Sequence, residues 1–146
     1  MYPNDKVVSF ITKHFIPAKF HIKDAKPAFE RFNAMWTPTI LVLDEQGKEH
    51  HRIEGFLPAD DFLTQLELGV AKAAFAAGRW GEAEERYRAI VRDHPDSDVA
   101  AEAMYWAGVS KYKATNDGAV LAETGRALKT KYPDSTWAKK GSVWAA

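Results

Sequence analysis

Glu49-His50-His51 is the one place in this sequence where two imidazoles adjoin, so it is the first candidate for metal binding or proton transfer. On a strand, adjacent residues point to opposite faces, so this pair cannot chelate one ion. His14, His21 and His94 lie on separate elements without ligand spacing. A solvated histidine pair is the expectation, with no metal and no cofactor. The carboxylate pairs Asp60-Asp61 and Glu84-Glu85 read as a helix start and a salt-bridged helix face, with no second catalytic group beside them. Gly78-Arg79-Trp80-Gly81 lacks the lysine and the spacing of a phosphate-binding loop. With no cysteine, the chain has no disulfide, thiolate ligand or thiol nucleophile. No residue is assigned a catalytic role.

The remaining totals point toward a packed core. The chain has 146 residues, 46% of them apolar, which suits one ordinary domain or two small ones. Twenty basic and twenty acidic side chains cancel, leaving no basic footprint for nucleic acid. No apolar run reaches the ~20 residues that span a bilayer, and no basic amphipathic helix suggests a membrane surface. Met1-Tyr2-Pro3-Asn4-Asp5 has neither a basic nor an apolar leader region. No leader is expected there, and the compartment stays open, cytoplasmic by default.

The elements follow from periodicity and punctuation. Asn4 is placed to cap a helix carrying Val8, Ile11 and Phe15, with Val7 beside them, before Pro17. Ala18, Phe20 and Ile22 alternate with Lys19, His21 and Lys23, the pattern of a strand buried on one face. Asp24 and Pro27 open a short helix with Phe29 and Phe32 inward. Thr39 to Leu43 is an apolar strand, Asp44 to Gly47 a turn, and Lys48 to Gly55 an edge strand. From Pro58 onward all reads as helix: Ala59 to about Ala77 before Gly78, then Glu82 to Arg92, Val99 to about Ala114, and Ala119 to Lys131. Last comes a short helix capped by Ser135 that holds Trp137 and Trp144. Trp80, Tyr87, Tyr105, Trp106 and Tyr112 fall where helix pairs pack, and any left on a concave face would be peptide contacts.

His94-Pro95-Asp96-Ser97 returns 38 positions later as Tyr132-Pro133-Asp134-Ser135. A period in that range indicates stacked helical hairpins. The segment resembles tetratricopeptide repeats: Ala83, Tyr87 and Pro95 match the small, aromatic and proline positions of one unit, and Tyr105, Tyr112 and Pro133 those of the next. Gly125 departs from the pattern, standing where the family prefers an aromatic.

Trp36-Thr37-Pro38-Thr39, the Asp44–Gly47 turn and Gly55-Phe56-Leu57-Pro58 resemble the second half of a thioredoxin-like domain. The resemblance implies an incomplete α/β fold of order α-β-α-β-β-α over residues 1–77. Tetratricopeptide-like hairpins follow over 78–146, with the helix from Ala59 shared between the two. It also implies a cis Thr37-Pro38 bond and a peptide-binding site at Trp36, Thr37, Pro38 and Thr39, where the backbone of Thr37 pairs with an extended peptide. Pro38 would equally serve to shape the entry to the strand. The family's first core strand, which lies between the Ala18–Ile22 and Thr39–Leu43 strands, has no match here, and neither has its Cys-x-x-Cys. The implied function is a non-catalytic protein- or peptide-interaction unit, with self-association by strand pairing or exchange. The alternative is the C-terminal part of a thiol-disulfide oxidoreductase whose Cys-x-x-Cys or selenocysteine segment lies upstream. A plain helical scaffold is the third reading.

Overall fold

A computed structural model describes residues 4–146. Met1 to Pro3, part of the stretch read above for a leader, lie outside the described residues. The element order is α1 (Asp5–His14), α2 (Lys26–Arg31), β1 (Thr39–Leu43), β2 (Glu49–Glu54), α3 (Ala59–Ala76), α4 (Trp80–Asp93), α5 (Ala100–Thr115), α6 (Ala119–Lys131) and α7 (Thr136–Gly141), closed by a 3-10 turn at Ser142–Trp144.

Asn4 caps α1 as expected, its side-chain oxygen accepting from the Lys6 and Val7 amides at 3.0 and 3.3 Å. The inward face differs by one position from the expectation. Val7 is buried with Phe10, Ile11 and Phe15 beside it, whereas Val8 is exposed. Val7, Phe10 and Ile11 share the i, i+3, i+4 stripe, so Val8 falls outside it.

One expected element is absent. Ala18–Ile22 forms no strand; Phe20 and Ile22 are 58% and 56% exposed, and among the described residues the sheet has only β1 and β2. Alternation marks a strand only where a neighbour supplies the ladder. With none beside it, the segment runs instead into a turn, where His21 O accepts from the Asp24 and Ala25 amides, both at 3.0 Å.

β1 and β2 run antiparallel, with Ile40 opposite Ile53 and Val42 opposite His51. Their turn is built by Asp44, whose Oδ1 accepts from the Gln46 and Lys48 amides, both at 2.9 Å. Gly47 takes φ +79 there, a conformation that favours glycine.

α3 belongs to two layers at once. Phe62, Leu63 and Leu66 pack with Val7 and Ile53 on the sheet side. Leu68, Ala71 and Ala74 pack with Ala83, Tyr87 and Ile90 of α4 and Ala103 and Ala107 of α5. Gly69 permits the close approach of α3 to β1, since a Cβ there would lie 2.7 Å from Val42 Cγ2.

The two repeated turns have one conformation. His94 and Tyr132 have φ/ψ of −135/56 and −131/57, and each amide donates back to the helix it ends, to Ile90 O and Leu128 O at 2.8 Å. Ser97 and Ser135 close the turns onto His94 O and Tyr132 O at 3.1 Å. The Tyr132 hydroxyl then donates to Pro95 O at 2.7 Å, tying one turn to the other. Gly125 now has a cause as well. A Cβ on it would lie 2.6 Å from Gly141 O, so the packing of α7 on α6 leaves no room for the family's aromatic. Ser135 caps α7 through the Ala138 amide at 3.0 Å; Trp137 lies in α7 and Trp144 in the closing turn.

Candidate functional site

The peptide-binding residues expected from the sequence lie together at the entry to β1. Thr37-Pro38 is cis. The Thr39 hydroxyl donates to Trp36 O at 2.6 Å, closing the loop around the proline. Arg52 of β2, opposite Leu41, donates to Asn33 O at 3.2 Å and also to Phe32 O, so the end of α2 is held against the sheet. Those bonds fix where the loop leaves α2, and Trp36 stands 68% exposed with Met35 at 82% and Phe56 at 64%.

The ladder decides which backbone groups are free. Gly55 N–H donates to Pro38 O at 2.8 Å. Hydrogen-bonded pairs alternate along an antiparallel ladder, so Ile40/Ile53 and Val42/His51 are the next two bonded pairs. Thr39 and Leu41 therefore turn their N–H and C=O groups to the other edge of β1, where no strand lies among the described residues. Thr37 likewise has no backbone partner among them.

The histidine pair differs from the expectation of solvation. His50 Nε2 lies 2.7 Å from Asp44 Oδ2, and that hydrogen bond, with the Lys48 amide, holds the Asp44 carboxyl below its ordinary range. On the opposite side of the strand His51 is half-buried. Lys72 can only donate, so its Nζ, 3.2 Å from His51 Nδ1, makes that nitrogen the acceptor, and Nε2–H donates to Gln65 Oε1 at 2.6 Å. Burial pushes the His51 pKa down, against the Gln65 bond. Opposite faces were legible from the strand; the partners, 14 and 21 positions away, were not.

Lys72 continues from His51 to Glu102 of α5 at 3.2 Å and so joins the sheet to the helices. Around this pair lies a groove of about 270 Å³, walled by Glu49 and His50 of β2, Phe75 of α3, Tyr87 of α4, Trp106 of α5 and Trp137 of α7. Ring centroids run Trp80–Phe75 at 4.9 Å, Phe75–Trp106 at 5.1 Å and Trp106–Trp137 at 6.4 Å, mostly edge to face. Tyr87 and Trp106 read from the sequence as helix packing, which they are, while the groove they help form depends on five elements far apart in the chain.

Among the described residues no group of three or more histidine or acidic side chains is placed to hold a metal ion. None of their helices is long and apolar enough to cross a membrane. Comparison with protein families matches residues 1–69 to a thioredoxin-like domain and residues 65–97 to a tetratricopeptide repeat, the two meeting within α3. No curated protein and no solved structure matches the chain. The chain carries a thioredoxin-like domain followed by a tetratricopeptide repeat, a pairing suited to a protein-interaction unit.

Proposed function

We propose that the interaction unit docks an extended protein segment on the outward edge of β1, with Thr37, Thr39 and Leu41 supplying the backbone pairing and Trp36 and Pro38 framing the entry. The free edge of β1 carries the reading. An unpaired row of N–H and C=O groups beside Trp36, Met35 and Phe56 favours strand addition, in which the backbone supplies affinity and exposed side chains supply selection. A second copy of the chain fits the same edge. Its Ala18–Ile22 segment alternates apolar and polar residues, pairs with no strand, and presents Phe20 and Ile22 to solvent. Strand exchange would give that segment the neighbour it lacks.

The test is the solution mass of the full chain against concentration, together with that of Leu41→Pro. Proline at an outward-facing position removes one donor while leaving the β2 ladder intact. The wild type is expected to shift toward a dimer as concentration rises, and a folded Leu41→Pro chain to remain monomeric. A wild type that stays monomeric at every concentration and binds no extended peptide overturns the proposal.

A further inference from the structure

Besides their apolar contacts, the sheet and the helices share one continuous polar chain. It runs from Gln65 Oε1 through the His51 ring to the Lys72 ammonium and on to the Glu102 carboxylate, in steps of 2.6, 3.2 and 3.2 Å. These side chains tie β2 to α3 and α3 to α5. The middle step works in only one protonation state. Lys72 donates and never accepts, so it needs the bare lone pair on His51 Nδ1 that only the neutral imidazole has. A proton on Nδ1 would set two cationic donors face to face, and that step would break. The Gln65 step is indifferent to this proton, because Nε2–H donates in either state.

The surroundings decide which partner moves. His51 is pinned: Val42 lies opposite it in the ladder, and a Cβ on Gly69 of α3 would come within 3.3 Å of its own Cβ. Lys72 has a long stem, and its side chain is 28% exposed, so its ammonium can swing into water. The charges that act on the ring are Lys72 from α3, Glu102 from α5 and Glu49 from its own strand, while β1 presents the apolar Val42. Glu49 is engaged by Arg52 at 2.7 Å, and His50, on the other face of β2, by Asp44. Burial, with the Lys72 charge acting in the same sense, holds the His51 pKa below its ordinary value against Gln65, Glu102 and Glu49. The chain of bonds is therefore intact at neutral pH and breaks on acidification below the ordinary histidine value of about 6.5. We infer that Gln65, His51, Lys72 and Glu102 form a proton-operated latch between the sheet and the helices, closed while His51 is neutral and broken at the His51–Lys72 step when Nδ1 takes a proton. Phe62, Leu63 and Leu66 still pack with Ile53, so opening loosens the joint without unfolding it. The latch does not depend on docking at the β1 edge, so either assignment stands if the other fails.

The histidine ring nitrogens of the full chain, followed by ¹⁵N NMR from neutral to mildly acidic pH, test the latch, with amide exchange read at each pH and corrected for its intrinsic rate. At neutral pH His51 should carry its proton on Nε2. As His51 titrates, the ladder amides of His51 and Ile53 should exchange roughly three- to tenfold faster, while that of Tyr132, at the end of α6, holds. Lys72→Met keeps the stem and removes the opposing charge, so the His51 midpoint should rise and the ladder amides should lose their response to it. Lys72→Arg restores the charge and the donor, and should return the midpoint toward that of the wild type. A proton on Nδ1 at neutral pH, a midpoint unmoved in Lys72→Met, or ladder amides that ignore the titration of His51 in the wild type would each overturn the inference.

Discussion

Replacing Gly69 with alanine tests how the sheet is held to the helices. Gly69 lies in α3, and the added methyl would stand 2.7 Å from Val42 Cγ2, 3.2 Å from Val42 Cβ and 3.3 Å from His51 Cβ. Val42 is 4% exposed and pinned opposite His51 in the ladder, so neither neighbour can swing into solvent. Overpacking of this kind costs about 1–3 kcal/mol. Alanine returns about 1 kcal/mol of helix propensity, which leaves a net loss of about 0–2 kcal/mol. For a chain of this size that lowers the midpoint by roughly 2–4 °C per kcal/mol. Gly81→Ala is the matched control, since Gly81 lies in α4 with nothing within 4 Å of its added Cβ. It should stabilise by about 0.5–1 kcal/mol. Val42→Ala alone removes two buried methyl groups and costs about 2 kcal/mol. Combined with Gly69→Ala it should cost at least ~1 kcal/mol less than the two singles together, because the new methyl enters the vacated space. Urea unfolding of the four variants reads all of these. A Gly69→Ala chain as stable as Gly81→Ala, or strictly additive effects, would refute the packing of β1 on α3.

Other expected outcomes bear on separate contacts. The lowered His51 pKa means its contribution to stability is fully present above the unfolded value, about 6.5, and is lost as pH falls through the lower folded value. Thermal midpoints should therefore fall on acidification from pH 7, and His51→Gln should show a smaller fall than wild type. Tyr132→Phe removes the bond to Pro95 O that joins the repeated turns and should cost about 1 kcal/mol in chemical unfolding. Trp36→Ser, at an exposed site, should leave the midpoint within about 0.5 kcal/mol of wild type while weakening self-association measured by sedimentation.

The helical half was legible because its punctuation is chemical. Gly78 at φ +76, Pro95 and Pro133 end helices for local reasons, and the repeated Pro-Asp-Ser turns give matching torsions from matching residues. β1 and the Asp44 turn were legible for the same reason, since one aspartate and one glycine specify the turn within four residues. Long-range partners were not. Nothing local told whether the alternation of Ala18–Ile22 would meet a neighbouring strand, and it does not. Nor did the sequence reveal that Asp44 would take His50, that Gln65 and Lys72 would take His51, or that α3, α4, α5, α7 and β2 would wall one groove. The residues Trp36, Thr37, Pro38 and Thr39 drew notice through a resemblance; which of their backbone groups face outward followed only once Gly55 was seen bonding Pro38.

Amide hydrogen exchange at Thr39 and Leu41, followed across chain concentration, bears most directly on the docking edge. The account predicts fast exchange at both amides in the dilute monomer, with slow exchange at Ile40 and Val42, whose amides bond β2. At concentrations where the mass doubles, Thr39 and Leu41 should become protected together. Protection of both in the dilute monomer, or fast exchange persisting in the dimer, would contradict it.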